Sequence, residues 1–419
     1  MSLRRLIRPL AIRTMVAWEW WRSGVTYNPL SPRVYTDPYP TYAALRAKDP
    51  VHWSPLMESW VCARYADVDA ILRDHKRFSN DPRTRDLTRT RRRATMEGME
   101  PSMLFLDPPD HTRLRALVNK AFTPQTILAL APRIRTIMAE LLDHIPDPTA
   151  FDLMETIAYP LPVIVIAELL GVPPQDHAQF KVWSDARARS LEPTMKPRER
   201  AMAIEAGHAL DAYFLNIIQA RRKEPRRDLI SALVAAEEAG ETLSERELLV
   251  MLRLLLVAGN ETTTNLIGNG MLALLRHPEQ LQALRRDPSL MPAAVEELLR
   301  YDAPVQVDGR TTLEEIEIGG RHLMKGQSVT LLIGSANHDA DVFFHPERLD
   351  ITRKETSNLS FGRGIHHCLG APLSRLEGRI AFEMLLERFP HLCLLTERPV
   401  FKDNVVLRGL KELPIGTTA

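Results

Sequence analysis

Between residues 243 and 277 the chain commits to one long, buried helix, and few folds can house such an element. Ser244 and Glu247 stand in capping-box spacing, with Leu243 and Leu248 placed to close a hydrophobic staple. From Leu248 to Ala258 the residues are apolar almost all round, Arg253 being the single interruption. A helix apolar on every side has to be enclosed by other protein. At 1.5 Å per residue it spans about 48 Å before His277-Pro278 stops it. Enclosing it takes a large interior, which 419 residues at 45% hydrophobic content supply. Helical periodicity recurs over residues 127–142, 160–170 and 201–222, and Asp37-Pro38-Tyr39-Pro40 opens a shorter helix. Residues 51–64 read as a hairpin, and residues 316–329, with their Gly319-Gly320 turn, return to strand character. Neither an internal repeat nor a low-complexity linker divides the chain. The expectation is one large domain over residues 26–419, mainly α with a small β part, built on a long central helix.

That helix carries a cluster that stability alone does not explain: Ala258-Gly259-Asn260-Glu261-Thr262-Thr263. Gly in a helix interior costs about 1 kcal/mol relative to Ala, and burying Glu261 costs more unless it is paired or hydrated. Ser and Thr side chains can also bond back to helix carbonyls and open the helix locally. A kink with incidental polar residues is the plain alternative. The second chemical signal is Phe361-Gly362-Arg363-Gly364-Ile365-His366-His367-Cys368-Leu369-Gly370. Its glycines let the backbone pass close to a large flat ligand. Its basic side chains and backbone N–H groups act to lower the thiol pKa toward the metal-binding thiolate. An inert buried cysteine beside a turn is the plain alternative. Zinc binding by His366, His367 and Cys368 would crowd three donors into three residues and lacks a nearby fourth.

These ten positions fit Phe-Gly-x-Gly-x-His-x-Cys-x-Gly, and the loop resembles the haem-binding loop of the cytochrome P-450 family. The cluster in the long helix is similar to that family's Ala-Gly-x-Asp/Glu-Thr stretch, and Glu297-Leu298-Leu299-Arg300 to its Glu-x-x-Arg pair. The resemblance runs from about residue 30 to the C-terminus. It implies haem b as cofactor, Cys368 as iron ligand, and Phe361, Gly362 and Gly370 as residues that shape the loop around it. Ala258 and Gly259 would leave room over the haem, Thr262 would hold the reacting oxygen and a water, and Glu261 would connect that water to solvent as a proton relay. His111, Arg115, Arg310 and His366 stand where the family holds the haem propionates, which need charge-assisted donors. Glu297 and Arg300 would join a third group from Pro346-Glu347-Arg348-Leu349, making Arg348 the expected closing member in a structural role. Leu349 departs from the aromatic usual there. Leu254, Val257, Ala258, Val305 and Val307 are expected to line an apolar chamber.

The resemblance further implies a monooxygenase that uses dioxygen and two electrons to hydroxylate or epoxidise a hydrophobic small molecule such as a fatty acid, terpenoid, steroid or polyketide. No Cys-rich cluster or flavin-binding extension follows the haem region, so electrons are expected from a ferredoxin with its ferredoxin reductase, or from a flavodoxin. Arg363 and Arg375 flank the loop and are candidates for a basic docking face. In the family a loop corresponding to residues 81–103 covers the pocket; here it carries Arg83, Arg85, Arg89, Arg91, Arg92 and Arg93. A solvated stretch is the plain reading of that run, and an acidic substrate the sharper one. Two alternatives stand beside the monooxygenase. A peroxide-driven peroxygenase usually lacks the acid–alcohol pair that Glu261 and Thr262 supply here, and a haem-thiolate sensor or carrier would not turn over.

Formal net charge is +1, so no global field points to nucleic acid. Three cysteines, Cys62, Cys368 and Cys393, are too few and odd in number for a disulfide framework and fit a reducing, cytoplasmic compartment. Residues 1–25 form a separate basic arm: Leu3, Leu6, Ile7, Leu10, Ala17, Trp18 and Trp21 share one side of a helical wheel, and Arg4, Arg5, Arg8 and Arg22 the other. Arg8 and Arg13 interrupt any signal-peptide core. Weak contact with a membrane surface fits this pattern, and so does packing on the domain, which Pro9 favours.

Overall fold

The computed structural model describes residues 3–86, 102–192, 195–226, 228–238 and 243–417. The capped segment forms the helix Glu245–Arg276, 32 residues long and α-helical throughout, its polar cluster included. The Glu247 carboxylate accepts from the Ser244 N–H at 2.8 Å and the Ser244 hydroxyl accepts from the Glu247 N–H at 3.2 Å, closing the capping box. Its first half is enclosed by the helices Pro160–Leu169, His177–Ala188 and Pro197–Lys223, its second half by Met291–Tyr301 and Ala371–Arg388. Arg253, the odd charge in the apolar run, reaches Asp211 on Pro197–Lys223 at 2.6 Å. Among the described residues no helix is long and apolar enough to cross a membrane.

Residues 127–142, one helix by periodicity, form two: Pro124–Leu128 and Ala131–Asp143. Pro132, in the first turn of the second, has no N–H to give and its ring clashes with the preceding turn, so the helix restarts there. The β part is small and sits to one side. Its main sheet runs in the order Val51–Ser54, Ser59–Cys62, Ser328–Leu332, Val307–Thr312 and Phe78–Ser79, with one parallel pairing, between the second and third strands. The first two are the expected hairpin, with Ser54 opposite Ser59. Gly319 and Gly320, both at positive φ, form the two-residue turn that pairs Ile316–Ile318 with Arg321–Leu323.

The N-terminal helix Leu3–Ser23 docks by one edge. Buried Glu19 accepts from the Tyr27 N–H at 3.0 Å and meets His52 Nε2 on the first strand at 2.5 Å, while His52 Nδ1 meets Asp49 at 2.9 Å. Burial pulls the His52 pKa down, but its bonds to Asp49 and Glu19 outweigh burial and raise it. A histidine whose pKa is raised on folding stabilises fully below the unfolded value, about 6.5, and loses that contribution as pH climbs through the folded value. Raising pH from 6 to 9 is therefore expected to speed amide exchange over residues 12–27 severalfold beyond the intrinsic base catalysis. His52→Gln should erase that excess; the same pH dependence in the variant would remove His52 as its source.

Candidate active site

The helix after the cysteine loop, Ala371–Arg388, packs on the central helix, and Thr263 Oγ1 donates to Ser374 Oγ across the join at 3.1 Å. The cysteine and the polar cluster thus belong to one rigid unit. Within the loop the Cys368 N–H donates to the Phe361 carbonyl at 2.8 Å, and His367 N–H to Gly364 at 3.2 Å. Gly364 has φ +69°, and a side chain there would stand 2.6 Å from the Leu72 carbonyl oxygen, so only glycine fits. Burial pushes the Cys368 thiol above its ordinary pKa. The Gly370 N–H, Arg115, the Ala371 N–H and Arg375 pull it down without cancelling that effect. A metal cation against the sulfur would act in the same direction as these donors.

The central helix, buried along most of its middle, leaves a strip accessible at the polar cluster. Ala258 is exposed and Leu254, Val257, Gly259 and Thr262 are half-buried. Thr262 Oγ1 donates back to the Ala258 carbonyl at 2.9 Å, which leaves its lone pairs open to a donor in the site. Gly259 does not open that space as expected: a Cβ there would lie 3.3 Å from Ile166, so it lets the helix Pro160–Leu169 approach from another side. Glu261 is buried, as its cost required, against a partner that sequence reading missed. Lys402 Nζ lies 2.5 Å from Glu261 Oε1 and 4.9 Å from the centre of the Tyr159 ring. Burial alone would lower the Lys402 pKa, and Glu261 and Tyr159 more than reverse it. Val305 keeps accessible surface beside Leu407, whereas Val307 is buried with Tyr27, Tyr42 and Leu332 under the sheet and does not line the expected chamber.

Four basic residues expected at the propionates converge. The His111 and His366 rings meet at a tilt of 47° with centres 4.1 Å apart, Arg115 Nη2 donates to the His367 carbonyl at 2.7 Å, and buried Arg310 reaches Asp308 at 2.9 Å. Burial, then His111, Arg310, Arg115 and His75, lower the His366 pKa to about 3. Burial and Arg115 lower His111 too. His75, half-buried after the helix Tyr65–Arg73, carries no motif in sequence and is a fifth member of the group. His111 Nδ1 and His366 Nε2 are buried with no protein partner. Two guanidinium groups beside orphaned ring nitrogens call for anionic oxygens. Together with the lone thiol of Cys368 and the accessible strip at Ala258, these residues fit a flat macrocycle bearing two carboxylates.

Glu297 and Arg300 are buried and doubly bonded, both contacts at 2.7 Å. The third member is Arg353, whose Nε lies 3.0 Å from Glu297 Oε2, and not the expected Arg348. Arg348 offers only its backbone carbonyl to Arg300, at 3.0 Å; its side chain is 73% exposed, because the turn after Pro346 directs it outward. The two arginines that flank the loop each have a carboxylate beside them. Arg375 is held by Glu296 and lies over the Phe361 ring, and Arg363 faces Asp69 at 3.6 Å, so neither is a bare charge. Arg89, Arg91, Arg92 and Arg93 lie outside the described residues.

The sequence profile described as Cytochrome P450 matches residues 52–415. Cytochrome P450 CYP107DY1 of Priestia megaterium is 44% identical over 85% of this chain and 89% of its own length. The Vitamin D(3) 25-hydroxylase of Pseudonocardia autotrophica is 42% identical over 91% and 94% respectively. Among solved structures, the bacillaene polyketide synthase cytochrome P450 PksS of Bacillus subtilis superposes with a TM-score of 0.87 at 40% identity, covering 94% of this chain and 100% of that one. Coverage on this scale, in sequence and in fold, leaves one conclusion: the chain belongs to the cytochrome P450 family and is a haem b-dependent monooxygenase.

Proposed function

We propose that the enzyme hydroxylates or epoxidises a large hydrophobic small molecule of the steroid or polyketide kind, with Cys368 as the thiolate that would hold the haem iron. The relatives' names support that substrate class, one being a vitamin D(3) hydroxylase and another a polyketide-synthase partner. When bound, haem supplies the redox chemistry: dioxygen, two electrons and two protons give one oxygen atom to the substrate and one to water. The chain's own residues do the rest. His111, Arg115, Arg310 and His366, with His75, hold the propionates. Leu254, Val257, Ala258 and Val305 keep the site apolar, and Arg300, Glu297 and Arg353 hold the core behind the loop. Thr262 accepts a hydrogen bond from water in the site, and the Glu261 carboxylate passes to that water a proton it first takes from Lys402, which recovers one from solvent. Because Glu261 is buried against Lys402, the route from solvent passes through that ion pair. Electrons come from a separate ferredoxin with its reductase, or from a flavodoxin. Three free cysteines support a cytoplasmic setting.

The observation that carries this reading is the Glu261–Thr262 pair, with Thr262 on the accessible strip of a buried helix that Thr263 ties to the cysteine-loop helix. Thr262→Ala, supplied with a surrogate ferredoxin and reductase, is expected to consume electrons at a near-normal rate while product falls about 10²-fold, the low end of what positioned proton transfer contributes. The missing electrons should appear as hydrogen peroxide. Unchanged coupling would refute the relay.

A further inference from the structure

Over residues 12–23 the N-terminal helix Leu3–Ser23 turns its tryptophans away from the domain, while Ile12, Met15 and Val16 are half-buried. Trp18, Trp20 and Trp21 are 44%, 64% and 79% exposed, and Arg13, Ala17 and Arg22 are exposed beside them. The edge that docks is carried by Glu19, through His52 and the Tyr27 N–H. Of the two readings of the arm, the packed helix is thus half right: it is tethered, but its tryptophans are not what the tether uses. By helical spacing, Leu3, Leu6, Ile7 and Leu10 fall on the same side of the wheel as Trp18 and Trp21.

Charge selects the occupant of that face. The helix has five arginines, Arg4, Arg5, Arg8, Arg13 and Arg22, and one carboxylate, Glu19. The fold buries that carboxylate against His52, so the helix shows no negative side chain to its surroundings. Arg22 also lies 5.4 Å from the centre of the Trp18 ring, placing a guanidinium at the edge of the aromatic patch. Indole rings prefer the boundary between lipid headgroups and acyl chains, and arginine stems reach from that depth to phosphate. A helix with a tryptophan-bearing face, basic flanks and no exposed acid fits the surface of an anionic bilayer. We infer that residues 3–23 form a surface anchor that lays this enzyme on anionic lipid without crossing it.

Flotation of the full-length haem-loaded protein with vesicles tests the inference. Vesicles of phosphatidylglycerol and phosphatidylcholine should bind it, with tryptophan emission shifting to the blue. Pure phosphatidylcholine should bind it weakly, and 0.5 M salt should release most of it. Each of Arg13→Gln and Arg22→Gln is expected to lower the partition about fivefold. Trp18→Ser/Trp20→Ser/Trp21→Ser should abolish binding while leaving the reduced carbon-monoxide spectrum unchanged, which separates loss of the anchor from loss of the fold. Absence of binding to anionic vesicles would overturn the inference, as would full binding by the triple variant. So would concentration-dependent dimerisation lost in that variant, because the face would then belong to a second copy.

Discussion

Cys368→Ser is expected to give a folded protein whose reduced carbon-monoxide complex lacks the red-shifted Soret band and whose product formation falls to background. Serine keeps the size of the side chain and the backbone bond from Cys368 N–H to the Phe361 carbonyl. What it loses is the soft, electron-rich sulfur that would hold the haem iron and tune its chemistry. The other sulfurs cannot stand in. Cys62 is fully buried in a strand, where burial drives its thiol pKa far up, and Cys393 donates to the Gly416 carbonyl in another sheet at 3.3 Å. Cys393→Ser should leave both band and turnover intact. A surviving red-shifted band in Cys368→Ser would exclude this residue as the ligand.

What could be read ahead of the structure was local. The capping box and the apolar run fix the central helix because both act within one or two turns, and the Gly319-Gly320 turn sets its hairpin register by itself. The cysteine loop is legible for a related reason: a backbone that approaches a flat ligand needs glycine at set positions within ten residues. What stayed hidden depends on direction or on distance along the chain. Gly259 and Ala258 are neighbours in sequence, yet a helical step of 100° turns one toward Ile166 and the other toward the accessible strip. Lys402 lies 141 residues from Glu261, and only the return of the C-terminal sheet brings them together. The wheel placed Trp18 and Trp21 on one side correctly but could not say which side met the domain, because a single buried ion pair at Glu19 decides it. Choosing between Arg348 and Arg353 required knowing which way each residue of an irregular segment points.

That choice carries the other large effect. Glu297→Ala is expected to abolish recovery of haem-loaded protein, because it leaves two buried guanidinium groups with no counter-charge. Arg300 uses every donor it has: two to Glu297, and the rest to the carbonyls of Asn337, Pro346 and Arg348 at 2.8–3.0 Å. Arg353 adds the Phe344 carbonyl at 2.7 Å, and Glu297 Oε1 accepts from the Asp350 N–H at 2.9 Å. The cluster clamps residues 337–353 onto the helix Met291–Tyr301. Asn337 then fixes Leu359 and Ser360 at 2.7 and 2.9 Å, one residue before the cysteine loop begins. Removing one partner of such a buried group costs about 3–5 kcal/mol, against a total stability of about 5–15 kcal/mol for a typical domain. Arg353→Ala should therefore lower the denaturation midpoint severely and weaken haem retention with it. Arg348→Ala, which removes an exposed side chain and keeps the backbone carbonyl, should cost less than about 0.5 kcal/mol. Denaturant titrations of the two variants, followed through the haem absorbance, decide the matter. Equal losses would return Arg348 to the cluster and take Arg353 out of it.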